Sequence, residues 1–310
     1  MMNNNYSDLK YSTVLFELTD HLNFIIKLNK SDKLPKVLML SGKKGIGKCT
    51  LVNHFMSYIF DKENYNLEEK IINDKSIFYK QYTNNTFPNI VYLSANKFKN
   101  VKIEDIRNLK SLLLKSTISN NKRFIILDDI EVFNHNSLNA LLKIIEEPSD
   151  SNFFLLINNN TKPLLKTIHS RSLELKIQIS EKKRIKIIKS LIKKNNLDIL
   201  INYTSINISP GNLLKYNNIL IENKININND FLSNLEKILT LYKKNKNIYL
   251  ANFCLFLTDC YFHNLIEKKN NIFKCIEDKY FIKENINKFF IYNLNQKALI
   301  NAINNKLFNG

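Results

Sequence analysis

Val37-Leu38-Met39-Leu40-Ser41-Gly42-Lys43-Lys44-Gly45-Ile46-Gly47-Lys48-Cys49-Thr50-Leu51 decides how this chain is read. Val37 to Leu40 is a short apolar run of the kind a buried strand uses, and from Thr50 to Phe60 apolar residues recur at helical spacing through Leu51, Phe55, Tyr58 and Ile59. Between them lies a turn with Gly42, Gly45 and Gly47 that ends in Lys48. Strand, glycine turn and helix in this order gather backbone N–H groups and a helix N-terminus around one point, which suits phosphate oxygens. Lys48 then reaches the β and γ phosphates. The alternative is a glycine turn that resembles such a loop by coincidence.

Outward from this stretch, strand and helix patterns keep alternating. Phe87-Pro88-Asn89 introduces a strand at Ile90 to Leu93, and Ile103 to Leu114 reads as a helix with Ile103, Ile106, Leu109 and Leu113 on one face. Phe124 to Leu127 is a second buried strand. Asn136 is placed to cap a helix carrying Leu138, Leu141, Leu142 and Ile145, which Pro148 stops before a strand at Phe153 to Ile157. Leu173 to Ile179 is strand-like and leads to Ser180, a cap for a helix with Ile185, Ile188, Leu191 and Ile192. The alternation predicts an α/β domain built on a parallel sheet. The lysine- and asparagine-rich stretch Asp61 to Thr86 reads as an exposed helix and loop. From Phe231 onward the pattern is helical, with apolar clusters at Leu235 to Leu241, Phe253 to Phe262 and Phe289 to Leu294 and no catalytic-looking polar group. The expected organisation is a phosphate-loop domain over 1–178, a small helical lid over 179–229 and a helical association domain over 230–310.

At 310 residues the chain exceeds one comfortable core, which agrees with several domains. Its formal charge of +18 invites a nucleic-acid partner. Lysine, asparagine and isoleucine are abundant throughout, however, while arginine stands only at Arg107, Arg123, Arg171 and Arg184, a bias that AT-rich codon usage also produces. Cys49, Cys254, Cys260 and Cys275 form no pair or Cys/His set with zinc-ligand spacing, so free thiols in a reducing cytoplasm, and no zinc, are expected. No basic-plus-apolar leader is visible and the apolar runs are too short to span a bilayer, so neither export nor membrane insertion is expected. No helix concentrates the Arg, Asn and Gln side chains that read base edges, so any DNA contact should be to the backbone.

The site residues depart from a working phosphate-loop enzyme. A hydroxyl directly after the lysine normally ligates Mg²⁺, and Cys49 stands there, a thiol being a poor partner for a hard ion. Thr50 is one position on, a rotation of roughly 100° about the helix axis, so it does not simply substitute. Asp128 closes its strand where an aspartate would hold Mg²⁺ through water, and Asp129 follows where an ATPase places a water-activating glutamate, one methylene too short. A strand-end turn or helix cap is the other account of the pair. Asn158 and Asn159 end the next strand, where a polar sensor of the attacking water would sit or where turn asparagines simply occur.

Asn139-Ala140-Leu141-Leu142-Lys143-Ile144-Ile145-Glu146-Glu147-Pro148 and Ser170-Arg171-Ser172 resemble the helix after the aspartate strand and the Ser-Arg-Cys motif of the clamp-loader branch of the AAA+ ATPases. Ile103-Glu104-Asp105-Ile106-Arg107-Asn108-Leu109, Ser209-Pro210-Gly211-Asn212-Leu213-Leu214 and Tyr292-Asn293-Leu294-Asn295 are similar to segments of the same family, so the similarity spans most of the chain. The resemblance implies an ATP-binding AAA+ domain, a lid and a helical collar in a complex that loads the sliding clamp on primed DNA during replication, with gamma/tau-type and delta-type subunits as partners and a cytoplasmic, nucleoid-associated location. It implies that Arg171 is a finger reaching the γ-phosphate of ATP held by a neighbouring subunit. Ser172 stands for the motif's cysteine, and Gly211-Asn212-Leu213-Leu214 lacks the arginine that motor subunits carry there. The zinc-binding cysteine insertion of many family members is missing.

Cys49, Asp129 and the missing second-domain arginine together point to a largely non-hydrolysing subunit with an outgoing finger. The alternatives are a true ATP-hydrolysing motor subunit, in which Thr50 and Asp129 suffice, and a small-molecule kinase, whose cationic lid is hard to find beyond residue 171.

Overall fold

A computed structural model describes residues 12–95, 101–114, 122–227, 230–267 and 271–308. It separates into two compact units, Met1–Asn195 with Ser209–Asn212, and Asn196–Ile208 with Leu213–Gly310. The expected boundary at 178 falls inside the first unit, and residue 229 lies outside the described residues.

In the first unit the order is α1 (Thr19–Lys30), β1 (Val37–Ser41), α2 (Lys48–Phe60), β2 (Tyr65–Asn66), β3 (Ile71–Ile72), α3 (Ile77–Thr83), β4 (Ile90–Ser94) and α4 (Ile103–Leu113). It continues with β5 (Arg123–Asp128), a 3₁₀ turn at Ile130–Val132, α5 (His135–Ile145), β6 (Asn152–Asn158), α6 (Lys166–His169), β7 (Leu173–Lys176) and α7 (Glu181–Asn195). Five strands form one parallel sheet in the order β4-β5-β6-β1-β7.

Strands β1, β5 and β6 are buried at every position. Continuous apolar runs of this kind suit a sheet covered by helices on both faces. Successive side chains alternate between the faces. On one side Leu38, Leu40, Phe124, Ile126 and Leu155 pack with Leu22 and Ile25 of α1 and Leu51 and Phe55 of α2. On the other, Met39, Ile125, Leu127, Phe154 and Leu156 pack with Ile106 and Leu109 of α4 and Leu138, Leu141 and Ile145 of α5. Each fully buried Leu, Ile or Phe contributes about 1.5–3 kcal/mol over an exposed one.

The structure corrects several local expectations. Helix α5 starts two residues earlier than an Asn136 cap allows, because the side chain of Asn134 accepts the Ser137 N–H at 2.7 Å. Asp61 to Thr86 is not an exposed stretch: it holds the β2–β3 hairpin and α3, whose Ser76 cap accepts from the Tyr79 N–H. Phe78 and Tyr82 of α3 are buried, and Phe78 packs against Phe60 and Phe87. Aromatics in a lysine- and asparagine-rich sequence form this small cluster. Helix α1 precedes every element the sequence pattern suggested and buries Leu22, Ile25 and Ile26.

The second unit contains most of α8 (Pro210–Glu222), then α9 (Phe231–Asn245), α10 (Ile248–Glu267), α11 (Ile272–Tyr292) and α12 (Gln296–Phe308). Helix α10 packs on α9 and α11, and α12 packs on α11 and α9. Phe253, Leu257 and Phe262 of α10 are buried, as are Leu235, Ile238 and Leu239 of α9, Ile282, Ile286 and Phe289 of α11, and Leu299 and Ile303 of α12. Asp259 of α10 pairs with Lys279 at 2.7 Å and Lys283 at 2.9 Å on α11. No helix among the described residues is long and apolar enough to cross a membrane.

Candidate functional site

The glycine turn lies between β1 and α2. Strand β1 is flanked by β6 and β7, with Leu40 opposite Ile157 and Ser41 opposite both Asn158 and Lys176. The Gly42 N–H donates to the Asn158 carbonyl at 3.2 Å, which anchors the loop's first residue to β6. A Cβ at Gly42 would stand 2.3 Å from the Ile177 carbonyl oxygen, so backbone passes backbone too closely for any side chain. The loop delivers Lys48 to the start of α2, where it is 3% exposed. Its Nζ donates to the carbonyls of Gly42 at 2.6 Å and Lys43 at 2.9 Å, stretching the side chain across the loop. Burial, opposed by Cys49, Asp128, Glu131 and Asp129, lowers its pKa to about 8.

Strand β6 stands between β1 and β5, so the Asn158-Asn159 end of β6 lies between the loop and the Asp128-Asp129 end of β5. Asp128 is buried and both its oxygens are engaged. Oδ1 accepts the Asp129 N–H at 2.9 Å, and Oδ2 accepts the Cys49 thiol at 3.0 Å and the Tyr92 hydroxyl at 2.6 Å. Burial, then the neighbouring Asp129 charge, raises its pKa, while the bonds from Tyr92 and Cys49 act against the shift. The Tyr92 hydroxyl is driven well above its usual range, chiefly by burial. Thr50, the displaced hydroxyl, is not among the partners of Asp128.

Asp129 adopts a left-handed conformation at φ 55° and ψ 42°, uncommon for a residue other than glycine. Its Oδ1 accepts from Lys44 at 2.8 Å and Asn159 Nδ2 at 2.7 Å, and its buried Oδ2 has no hydrogen-bond partner. Glu131, 4% exposed, accepts the Asn159 N–H and the Thr161 hydroxyl and N–H, which fixes the turn after β6. Asn158 spends its side chain on that turn, accepting the Asn160 N–H at 2.9 Å. Asn159 is therefore the asparagine that meets the acidic centre.

Arg171 follows α6 and is partly exposed, with Nη2 2.7 Å from Glu146 Oε1 and Nη1 donating to the Thr167 carbonyl at 3.1 Å. Neither partner belongs to the glycine loop. The structure thus brings Gly42, Gly45, Gly47, Lys48, Cys49, Asp128, Asp129 and Asn159 together, and keeps Arg171 on its own surface with the Glu146 end of α5.

Lys44 and Tyr92 contribute to the centre without having been singled out in the sequence. Lys44 is one lysine of many and Tyr92 an ordinary strand aromatic, so neither carries a signal until the fold places it. Arg184 of α7 is a third such residue: it is buried, its Nε donates to Glu181 Oε2 at 2.8 Å, and its charge adds to burial in lowering the pKa of Lys43. An arginine thus does lie close enough to affect the loop, committed to Glu181. Among the described residues no three His, Cys, Asp or Glu side chains gather as metal ligands.

A parallel sheet with a glycine-lysine loop after β1, a carboxylate pair ending β5 and a polar end of β6 between them defines a phosphate-loop domain of the AAA+ kind. The family model for the DNA polymerase III delta subunit matches residues 18–181, and the chain belongs to that family. It is 28% identical over 261 residues to a DNA polymerase III subunit delta' of Buchnera aphidicola from Schizaphis graminum, covering 80% of this chain and 77% of that one. It is 28% identical over 164 residues to a DNA polymerase III subunit gamma of Buchnera aphidicola from Acyrthosiphon pisum, covering 52% of this chain and 43% of that one. Among solved structures, a DNA polymerase III gamma subunit-related protein of Thermotoga maritima superposes with a TM-score of 0.51 at 15% identity, over 90% of this chain and 96% of that one, a likeness of fold.

Proposed function

We propose that this chain is a delta-prime-type subunit of a DNA polymerase III clamp loader, largely unable to hydrolyse ATP itself and donating Arg171 to ATP held by a neighbouring subunit. The observation that carries this reading is the commitment of its own acidic centre. Asp128 gives its oxygens to Cys49, Tyr92 and the Asp129 N–H, and Asp129 is ion-paired to Lys44. The carboxylate that must hold a hydrated Mg²⁺ has both oxygens occupied by the protein's own donors, and the one that must take a proton from water has one oxygen tied to Lys44 and Asn159. The thiol of Cys49, where a hydroxyl is needed, adds to the loss. MgATP or MgADP bound here would rest on Lys48 and the loop amides.

Two features support the outgoing role. Arg171 is exposed enough to turn outward, and an ion pair at the surface such as that with Glu146 contributes only about 0–1 kcal/mol, which a phosphate offered by a partner outweighs. In the second unit α11 exposes Ile272, Phe273, Ile276 and Tyr280, a stripe at helical spacing with Phe273 83% exposed. This stripe is the contact by which residues 230–310 join a collar of gamma/tau-type and delta-type subunits. The assembly acts with the sliding clamp on primed DNA, touching its backbone, in the replisome at the nucleoid.

The test is ATP turnover by the reconstituted complex. The isolated chain is expected to hydrolyse no ATP above background, and Arg171→Ala is expected to cut the complex's clamp- and DNA-stimulated ATPase at least tenfold while subunits still assemble. Motor-like turnover by the isolated chain, abolished by Lys48→Ala, would overturn the non-hydrolysing reading in favour of a motor subunit.

A further inference from the structure

The Gly45 carbonyl accepts the Gly211 N–H at 2.8 Å, and neither glycine has room for a Cβ. A Cβ on Gly211 would stand 2.9 Å from the Gly45 carbonyl oxygen and 3.0 Å from its Cα. One on Gly45, at φ +83°, would stand 2.6 Å from Ser209 Oγ. Gly211 is the second residue of α8, where N–H groups have no partner within the helix. Ser209, the residue before the helix, does not satisfy them: its hydroxyl is buried and has no hydrogen-bond partner. The glycine loop itself caps α8.

The consequence lies in the peptide between Gly45 and Ile46. A trans peptide points its C=O and N–H in opposite directions. Drawing the Gly45 carbonyl toward Gly211 therefore turns the Ile46 N–H away from α8. We propose that Gly211 is a positioning residue for phosphate binding: its N–H holds the Gly45–Ile46 peptide in the one orientation that offers the Ile46 amide to a nucleotide's phosphates. The segment that lacks an arginine thus acts on the nucleotide through the loop. The proposal rests only on the phosphate-loop part of the reading above, and is independent of Arg171 and of hydrolysis.

Titrating the full-length chain with MgADP by calorimetry tests it, with a ¹H–¹⁵N spectrum following the Ile46 amide. Gly211→Ala, which pushes the loop carbonyl off α8, is expected to weaken MgADP at least tenfold and to abolish the downfield movement of the Ile46 amide that MgADP produces in the parent chain. Ser209→Ala removes only the unpartnered hydroxyl and should leave affinity within twofold. Should Gly211→Ala unfold the chain, the parent spectrum still decides: an Ile46 amide that does not respond to saturating MgADP overturns the proposal. So does Gly211→Ala binding within twofold of the parent, or a parent chain that binds no MgADP, and each of these results leaves the Arg171 experiment standing.

Discussion

Lys48 shows how one buried side chain sets a pH dependence. Burial lowers its pKa to about 8, so in the folded chain it carries its proton at pH 7 and loses it as pH rises through 8. On the proposed reading, the positive charge that meets phosphate disappears over that range. MgADP affinity is therefore expected to fall between pH 7 and 9, measured by calorimetry, with a flatter profile in Lys48→Arg because guanidinium stays charged. The same residue also affects folding. Lysine in the unfolded chain keeps its proton to about 10.4, so between the two values the unfolded state binds more protons and stability gains from Lys48 as pH rises. Asp129 makes the complementary case. Its buried carboxylate depends on Lys44, and Lys44→Ala leaves it with Asn159 alone; the cost is about 1–3 kcal/mol by urea unfolding, below that of a fully buried pair because Lys44 is partly exposed.

At the scale of elements, what was readable followed from periodicity. Strands β1, β4, β5 and β6 and helices α2 and α4 fall within a residue or two of their sequence readings because the strands are short apolar runs and the helices repeat apolar residues at 3.6. Helix starts were less legible, since two asparagines near one start compete and only the fold shows which side chain reaches an N–H. Asn134 won at α5, and it also donates to the Val101 carbonyl at 3.1 Å. Asn134→Ala is expected to cost about 1 kcal/mol, in the usual range for a lost cap, while Asn136→Ala should cost nothing measurable by thermal unfolding. The segment 61–86 shows little periodicity for another reason: Phe78 and Tyr82 are buried, Phe78 against Phe60 and Phe87, and Tyr82 donates to Asn53 at 2.6 Å. Asn53 lies outside any local window around Tyr82.

Across the whole molecule, the proposed function asks the first unit to offer Arg171 and the second to bind other subunits. The exposed stripe on α11 is assigned by the proposal to the second role, and it is set apart from the fully buried Ile282, Ile286 and Phe289 of the same helix. Phe273→Glu with Ile276→Glu is accordingly expected to leave the thermal midpoint of the isolated chain within about 2 °C, since surface changes away from the core stay within about 0.5 kcal/mol. The same pair should abolish co-elution with gamma/tau-type and delta-type subunits on size exclusion; unchanged assembly would remove the collar role from α11.

The sequence by itself determined the sheet, the glycine loop, the aspartate pair and the family, because each is written in neighbouring residues: short apolar runs between helical repeats, glycines before a lysine, charges closing an apolar run. Tertiary structure alone decided which side chains share the acidic centre. Lys44, Tyr92 and Asn159 are 85, 36 and 30 residues from the aspartates they meet, and Gly211 reaches Gly45 from the far side of β7 in the chain. Hydrogen bonds and ion pairs act over a few ångströms of space, and only the folded backbone brings such distant residues that close.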